Sequence, residues 1–303
     1  MGTRNGGGQI MSLSMKLQTS LRDLDLNPDV ILKLANEAIA EDLAGGIDLT
    51  STATIAETQL SGALFRTRSD GAISGLNVAA AVLEACGILE YELIASEGEF
   101  VKAGATLIRA HGSTRKLLLA ERTSLNLLGR LSGISTLTKQ WVAAVAGTNT
   151  KIRDTRKTTP LMRDLEKFAV RMGGGTNHRM SLSDAALIKD NHILAAGGVA
   201  KAFAAINSAY PEKLIEVEVD SLEQLEEALA AGAKFVLLDN MSPEKCAKAV
   251  ALNAGRAKLE ASGGLTLVNA HAYAQTGVDF LAVGALTHSA PVLDIGLDFE
   301  MEK

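Results

Sequence analysis

After residue 150 the chain settles into a repeat of short apolar runs and helical stretches, and this rhythm limits the folds open to it. The runs KIRDT (151–155), AALIKDN (185–191), LIEVEVD (214–220), KFVLLDN (234–240), AKLEASG (257–263) and DFLAVG (279–284) read as strands. Between them lie helical stretches such as SLEQLEEALAAG (221–232) and SPEKCAKAVALNAG (242–255). Such alternation predicts parallel strands joined by right-handed crossovers. The polar residues fall at one place in each unit. Arg156 and Lys157 follow the first run, and Lys189, Glu218, Asp239, Ser262 and Gly284 close the next five. From Lys189 onward they are 29, 21, 23 and 22 residues apart, about one strand–helix unit each. In a barrel the C-terminal strand ends converge on one mouth, whereas an open doubly wound sheet gathers six such positions less readily. The sequence therefore predicts an α/β fold with a (β/α) barrel, of which six strands are clear.

Upstream the pattern changes. Residues 27–42 predict a helix, with Asn27 as N-cap and Pro28 at its first position. ALFRTRS, YELIASEG and TLIRAHG, with the helical LNVAAAVLEAC among them, predict a small α/β unit with a mostly antiparallel sheet. Residues 114–146 read as two helical segments separated near Ser132-Gly133. The opening MGTRNGGGQIMSLSMK has no apolar h-region and reads as a disordered lead. No run of about 18 apolar residues predicts a membrane span. Cys86 and Cys246 stand in Ala-rich helical contexts, which predicts no disulfide framework and a reducing, cytoplasmic home.

Charge is unevenly placed. The whole chain carries a formal −5, which argues against general nucleic-acid binding. Yet Lys151 to His192 holds nine Lys/Arg against five Asp/Glu. Local positive charge in an acidic body points to a small anion. Arg156, Lys157, His178, Arg179 and Lys189 sit in loops or at strand ends, where a planar guanidinium can grip carboxylate or phosphate oxygens. Arg163, Lys167 and Arg171 recur every four residues beside Asp164 and Glu166 and read instead as a solvated helix face.

Two strand–glycine–helix patterns, LEASGGLTL (259–267) and DFLAVGALT (278–286), predict backbone N–H groups that hold a phosphate. GGG (173–175) matches neither a Walker A loop nor a dinucleotide fingerprint. It reads as a turn or, from its place before Asn177-His178-Arg179, as a loop that lets backbone approach a ligand. LIEVEVD alternates, with Glu216, Glu218 and Asp220 on one face. Glu218 and Asp239 at neighbouring strand ends suit Mg²⁺ shared with phosphate oxygens, or ribose hydroxyls, or a salt-bridge network with Lys189 and Lys157. His192 reads as orienting the loop around Lys189, while His111, His271 and His288 read as structural or surface residues. Two other readings remain open: a Schiff-base aldolase using Lys189, and an anion-binding protein without turnover.

DTRKTTP, GGGTNHR, LIKDNH, VEVD, LLDN and EASGG, in this order, together resemble the quinolinate phosphoribosyltransferase family from about Glu41 to Leu297, with EDLAGGIDLTS and ERTSLNLLGRLSGIST fitting as well. The resemblance implies a lead over 1–20, an N-terminal α/β sandwich over 21–129 completed by 286–303, and an open barrel over 130–285. It implies transfer of phosphoribosyl from phosphoribosyl pyrophosphate to quinolinate with decarboxylation, giving nicotinate mononucleotide. Arg156, Lys157, His178, Arg179 and Lys189 would line the quinolinate pocket, with Arg122 donated across a homodimer interface; larger assemblies, up to a hexamer, also occur in such a family. Lys157, Lys189, Glu218 and Asp239 would be catalytic, with Glu218 and Asp239 on the Mg²⁺–diphosphate side. Ser262, Gly263, Gly264 and Gly284 would hold the 5′-phosphate. Leu161-Met162 departs from the Gly-Leu that often follows TTP in the family, and residues 1–15 have no counterpart.

Overall fold

The computed structural model of the protein describes residues 12–300. It divides into two compact units, one reaching to Thr136 and resuming at Ala290, the other Leu137–Ser289. Residues 1–11 of the expected lead lie outside the described residues. The rest of it is no lead, because a helix already begins at Met15 (α1, Met15–Asp23). Ser14 caps it by accepting from the Leu17 N–H, and the Ser14 hydroxyl donates to buried Glu84 at 2.6 Å. Leu17 and Leu21, four residues apart, are buried.

The first unit continues with α2 (Pro28–Leu43), capped by Asn27 as the sequence predicts, and α3 (Leu49–Thr54). Next come β1 (Leu60–Thr67), β2 (Gly71–Ala72), α4 (Leu76–Ala85), β3 (Glu90–Leu93), β4 (Phe100–Val101) and β5 (Thr106–Ser113). Ile295–Glu300 forms the last strand of the chain, β12, and completes an antiparallel sheet in the order β12-β1-β5-β3. Phe65, Ile73, Leu76, Leu83, Leu107 and Leu117 pack in its core.

Thr114–Ala144 is one continuous helix, α5, not two segments. A Cβ on Gly133 would stand 1.9 Å from the Pro291 carbonyl oxygen, so this glycine admits a close backbone approach rather than ending a helix. Ser132 turns its hydroxyl onto the Ser74 main chain, accepting from the N–H and donating to the C=O. Both residues that read as a break are therefore packing contacts within a helix.

The second unit holds β6 (Lys151–Arg153), α6 (Arg163–Met172), β7 (Ala186–Ile188), α7 (Asp190–Ala196), α8 (Val199–Ala209), β8 (Ile215–Val219) and α9 (Leu222–Ala230). It continues through β9 (Phe235–Asp239), α10 (Pro243–Asn253), β10 (Lys258–Ser262), α11 (Ala270–Ala274), β11 (Phe280–Ala282) and α12 (Ala285–His288). Every predicted strand is present. Ser221 and Ser242 cap α9 and α10, and Pro243 starts the latter. The six strands form one parallel sheet in the order β6-β11-β10-β9-β8-β7. Among the described residues no pairing joins β6 to β7, so the barrel is open.

Candidate active site

Strand alternation builds the site in two tiers. Glu216 and Glu218 share one face of β8, Leu237 and Asp239 one face of β9, and Glu260 and Ser262 one face of β10. The register sets Ser262 beside Asp239 and Ala282. The upper tier, at the strand ends, includes Lys189, Glu218, Asp239 and Ser262. Together with Arg156, Lys157, His178 and Arg179 they line one cavity of about 360 Å³. Thr155, Leu187, Leu237, Glu260 and Ala282 complete the lining. Eight of the predicted site residues are thus brought to one hollow.

The others stand elsewhere. Gly263, Gly264 and Gly284 follow the strand ends just past Ser262 and Ala282 and do not line the cavity. Gly263 has φ +86°, and a Cβ there would lie 2.1 Å from the Asn240 side-chain oxygen. Gly264 has φ +63°. Among the described residues these two glycines donate no backbone hydrogen bond, so a loop, not a helix start, offers N–H groups: α11 begins only at Ala270. Arg122 lies exposed on α5 in the first unit and, among the described residues, makes no hydrogen bond or ion pair. Gly173–Gly175 is a helix stop, with Gly173 capping α6, Gly174 at φ +88° and Gly175 donating to the Val170 carbonyl.

The cations differ in their commitments. Lys189 Nζ is 2.6 Å from Glu218 Oε2. Its backbone N–H donates to His192 Nδ1, so His192 orients this loop as expected. Arg179 donates from Nη1 to the Ala185 carbonyl. The Nε groups of Arg156 and Arg179 are buried without a partner. Burial first, and the neighbouring Arg156 second, pull the Arg179 guanidinium below its ordinary range. Two desolvated, mutually repelling guanidinium groups with unused donors favour an anion between them. Leaving each donor unmet costs about 1–3 kcal/mol.

The lower tier was not legible from charge clustering. Arg153 Nη1 lies 2.7 Å from Glu260 Oε2, and His178 Nε2 lies 2.9 Å from Glu216 Oε2 and 3.4 Å from Glu260 Oε1. Burial, reinforced by the Glu216 carboxylate, pushes the Glu260 carboxyl up to about 7. The signal existed: Glu216 and Glu260 each stand two residues before a predicted site residue, on the same strand face.

Lys167, read as part of a solvated face, is wholly buried, donating to Asp154 Oδ1 at 2.5 Å and to the His178 carbonyl at 2.8 Å. Asp154 also accepts from the His178 N–H and the Asn177 amide. Arg163 donates to the Met180 carbonyl and Arg171 to Asn177 Oδ1. The three residues clamp the loop that carries His178 and Arg179.

A barrel mouth that gathers guanidinium, ammonium and carboxylate groups, with a glycine loop just past one strand end, defines a class of enzyme-like barrels suited to small polyanions. Residues 48–132 match the family model of the quinolinate phosphoribosyl transferase N-terminal domain, and residues 134–298 that of its C-terminal domain. The nicotinate-nucleotide pyrophosphorylase [carboxylating] of Mycobacterium leprae is 48% identical over 281 residues, covering 90% of this chain and 99% of that protein. A probable counterpart in Bacillus subtilis is 41% identical, covering 88% and 92%. Among solved structures, the nicotinate-nucleotide pyrophosphorylase of Francisella tularensis is similar with a TM-score of 0.86 and 40% identity, over 90% of this chain and 96% of that one. The chain belongs to the quinolinate phosphoribosyl transferase family.

Proposed function

We propose that the protein transfers the phosphoribosyl group of phosphoribosyl pyrophosphate to quinolinate, releasing diphosphate and CO₂ and forming nicotinate mononucleotide for NAD synthesis. The observation that carries this reading is the single cavity in which Arg156, Lys157, Arg179 and Lys189 face Glu218, Asp239 and Ser262. Adjacent carboxylates on a pyridine ring match the unused Arg156 and Arg179 donors. Ser262 and the free N–H groups of Gly263 and Gly264 are suited to the 5′-phosphate.

Glu218 and Asp239 fit Mg²⁺, because two carboxylates on adjacent strands supply the few hard oxygens that this ion takes beside phosphate oxygens and water. Mg²⁺ held there would offset charge on the departing diphosphate. Lys157, in the same cavity, would supply a further positive charge. Attack by the ring nitrogen on C1 of the ribose breaks the bond to diphosphate and leaves the nitrogen positively charged. That charge stabilises the electron pair left on the ring carbon when the neighbouring carboxylate departs as CO₂, and a proton from solvent then completes the C–H bond of the product. The residues' part is to hold the nitrogen and C1 in line and keep charges complementary as they shift.

The Lys189–Glu218 ion pair weighs against the aldolase alternative, since a salt-bridged ammonium has no lone pair with which to form an imine. The exposed guanidinium of Arg122, without a partner among the described residues, is consistent with a homodimer, or a hexamer built from such dimers, in which this residue reaches the other subunit's barrel mouth. Two buried free cysteines suit the cytoplasm, and among the described residues no helix is long and apolar enough to cross a membrane. Product formation from quinolinate, phosphoribosyl pyrophosphate and Mg²⁺ is the direct test.

A further inference from the structure

His178 lines the cavity, yet both of its ring nitrogens are already engaged. Nδ1 accepts the backbone N–H of Arg179 at 2.7 Å. Nε2 faces Glu216 at 2.9 Å and Glu260 at 3.4 Å. Turning the ring over would set carbon atoms against the N–H and against both carboxylates, so these contacts fix its orientation. An N–H donor facing Nδ1 and carboxylates facing Nε2 require one arrangement: the proton sits on Nε2 and the lone pair on Nδ1. A metal ion on Nε2 would leave the proton on Nδ1, and an imidazolium would carry one there too. Either would place two N–H groups head to head across 2.7 Å. The trio His178, Glu216 and Glu260 has the spacing of a metal site, but this contact argues against metal in it.

The geometry points to Glu216, supported by Glu260, as a positioning residue for quinolinate that acts through His178. The carboxylate holds the Nε2–H tautomer of the imidazole; Nδ1 then holds the Arg179 backbone; and the Arg179 guanidinium, tied at Nη1 to the Ala185 carbonyl, is set with its Nε facing no partner. His178 therefore brings no charge to the cavity. The dianion is met by Arg156, Lys157, Arg179 and Lys189, and Arg153 balances Glu260 beneath them. Glu260 is 1% exposed and Glu216 1% exposed, so neither competes for solvent or for surface cations. This inference rests on quinolinate being the substrate.

The test combines ¹⁵N-histidine NMR of the intact, substrate-free protein with steady-state kinetics. His178 is assigned by the resonance missing in His178→Gln. The expected wild-type spectrum shows His178 protonated at Nε2 and bare at Nδ1. Glu216→Ala is expected to lose that signature and to raise the KM for quinolinate about tenfold or more, with the KM for phosphoribosyl pyrophosphate within about twofold. Glu216→Gln keeps an acceptor oxygen and is expected to restore both; it also serves if the alanine variant does not fold. A proton on Nδ1 in the wild type overturns the inference, as does an equal loss of affinity for both substrates. Failure of the assigned reaction appears separately, as wild-type protein that makes no nicotinate mononucleotide while its imidazole spectrum is still read.

Discussion

Lys167 shows how one side chain can mislead at the level of sequence. Its spacing from Arg163 and Arg171 is that of an exposed charged stripe, and nothing local distinguishes it from one. Its burial is decided by Asp154, thirteen residues earlier, and by the His178 carbonyl. Burial pushes the Asp154 carboxyl up and the Lys167 ammonium down against their mutual attraction, as expected where desolvation is large. Removing one partner strands the other. Lys167→Met is expected to destabilise the protein by about 3–5 kcal/mol in denaturant unfolding; a loss under about 1 kcal/mol would place the pair in the class of exposed ion pairs. Glu260 carries a pH prediction. Its carboxyl rises from an ordinary 4.5 to about 7 in the fold, so the folded chain holds this proton longer than the unfolded one. The contribution is fully present below 4.5 and is lost as pH climbs through about 7. Between about pH 5 and about pH 8 the wild type should therefore lose more stability than Glu260→Gln, measured by denaturant midpoints. Equal losses would show that Glu260 is not the group responsible.

Among the elements, the strands are legible in the sequence and the helix interiors less so. Each strand of the barrel is a short apolar run set off by loops and helical stretches, so β6 to β11 can be read one at a time. In α5 the dipeptide Ser132-Gly133 looks like punctuation because small residues usually mark breaks. Its actual role depends on Ser74 and Pro291, far away in the chain. Likewise β12 has a recognisable place only through its partner β1. Gly133→Ala tests this account of α5. Alanine is the better helix former by about 1 kcal/mol, yet here its Cβ would stand 1.9 Å from a backbone oxygen. The expected outcome is a net destabilisation of about 2 kcal/mol or more, seen as a lowered Tm. A raised Tm would mean that the helix does not pack as described.

For the whole molecule, the mouth of the barrel was legible because topology alone gathers strand C-termini, and eight predicted residues meet there. The tier beneath it was not, since Glu216 and Glu260 are single acids inside apolar runs, and only the sheet order brings them together. The proposed reaction requires one hollow to serve two substrates. Its most direct test is incubation of the purified protein with Mg²⁺, phosphoribosyl pyrophosphate and quinolinate labelled at the 2-carboxylate. The expected result is labelled CO₂, diphosphate and nicotinate mononucleotide in equal amounts. Tight quinolinate binding with no labelled CO₂ and no nucleotide would contradict it.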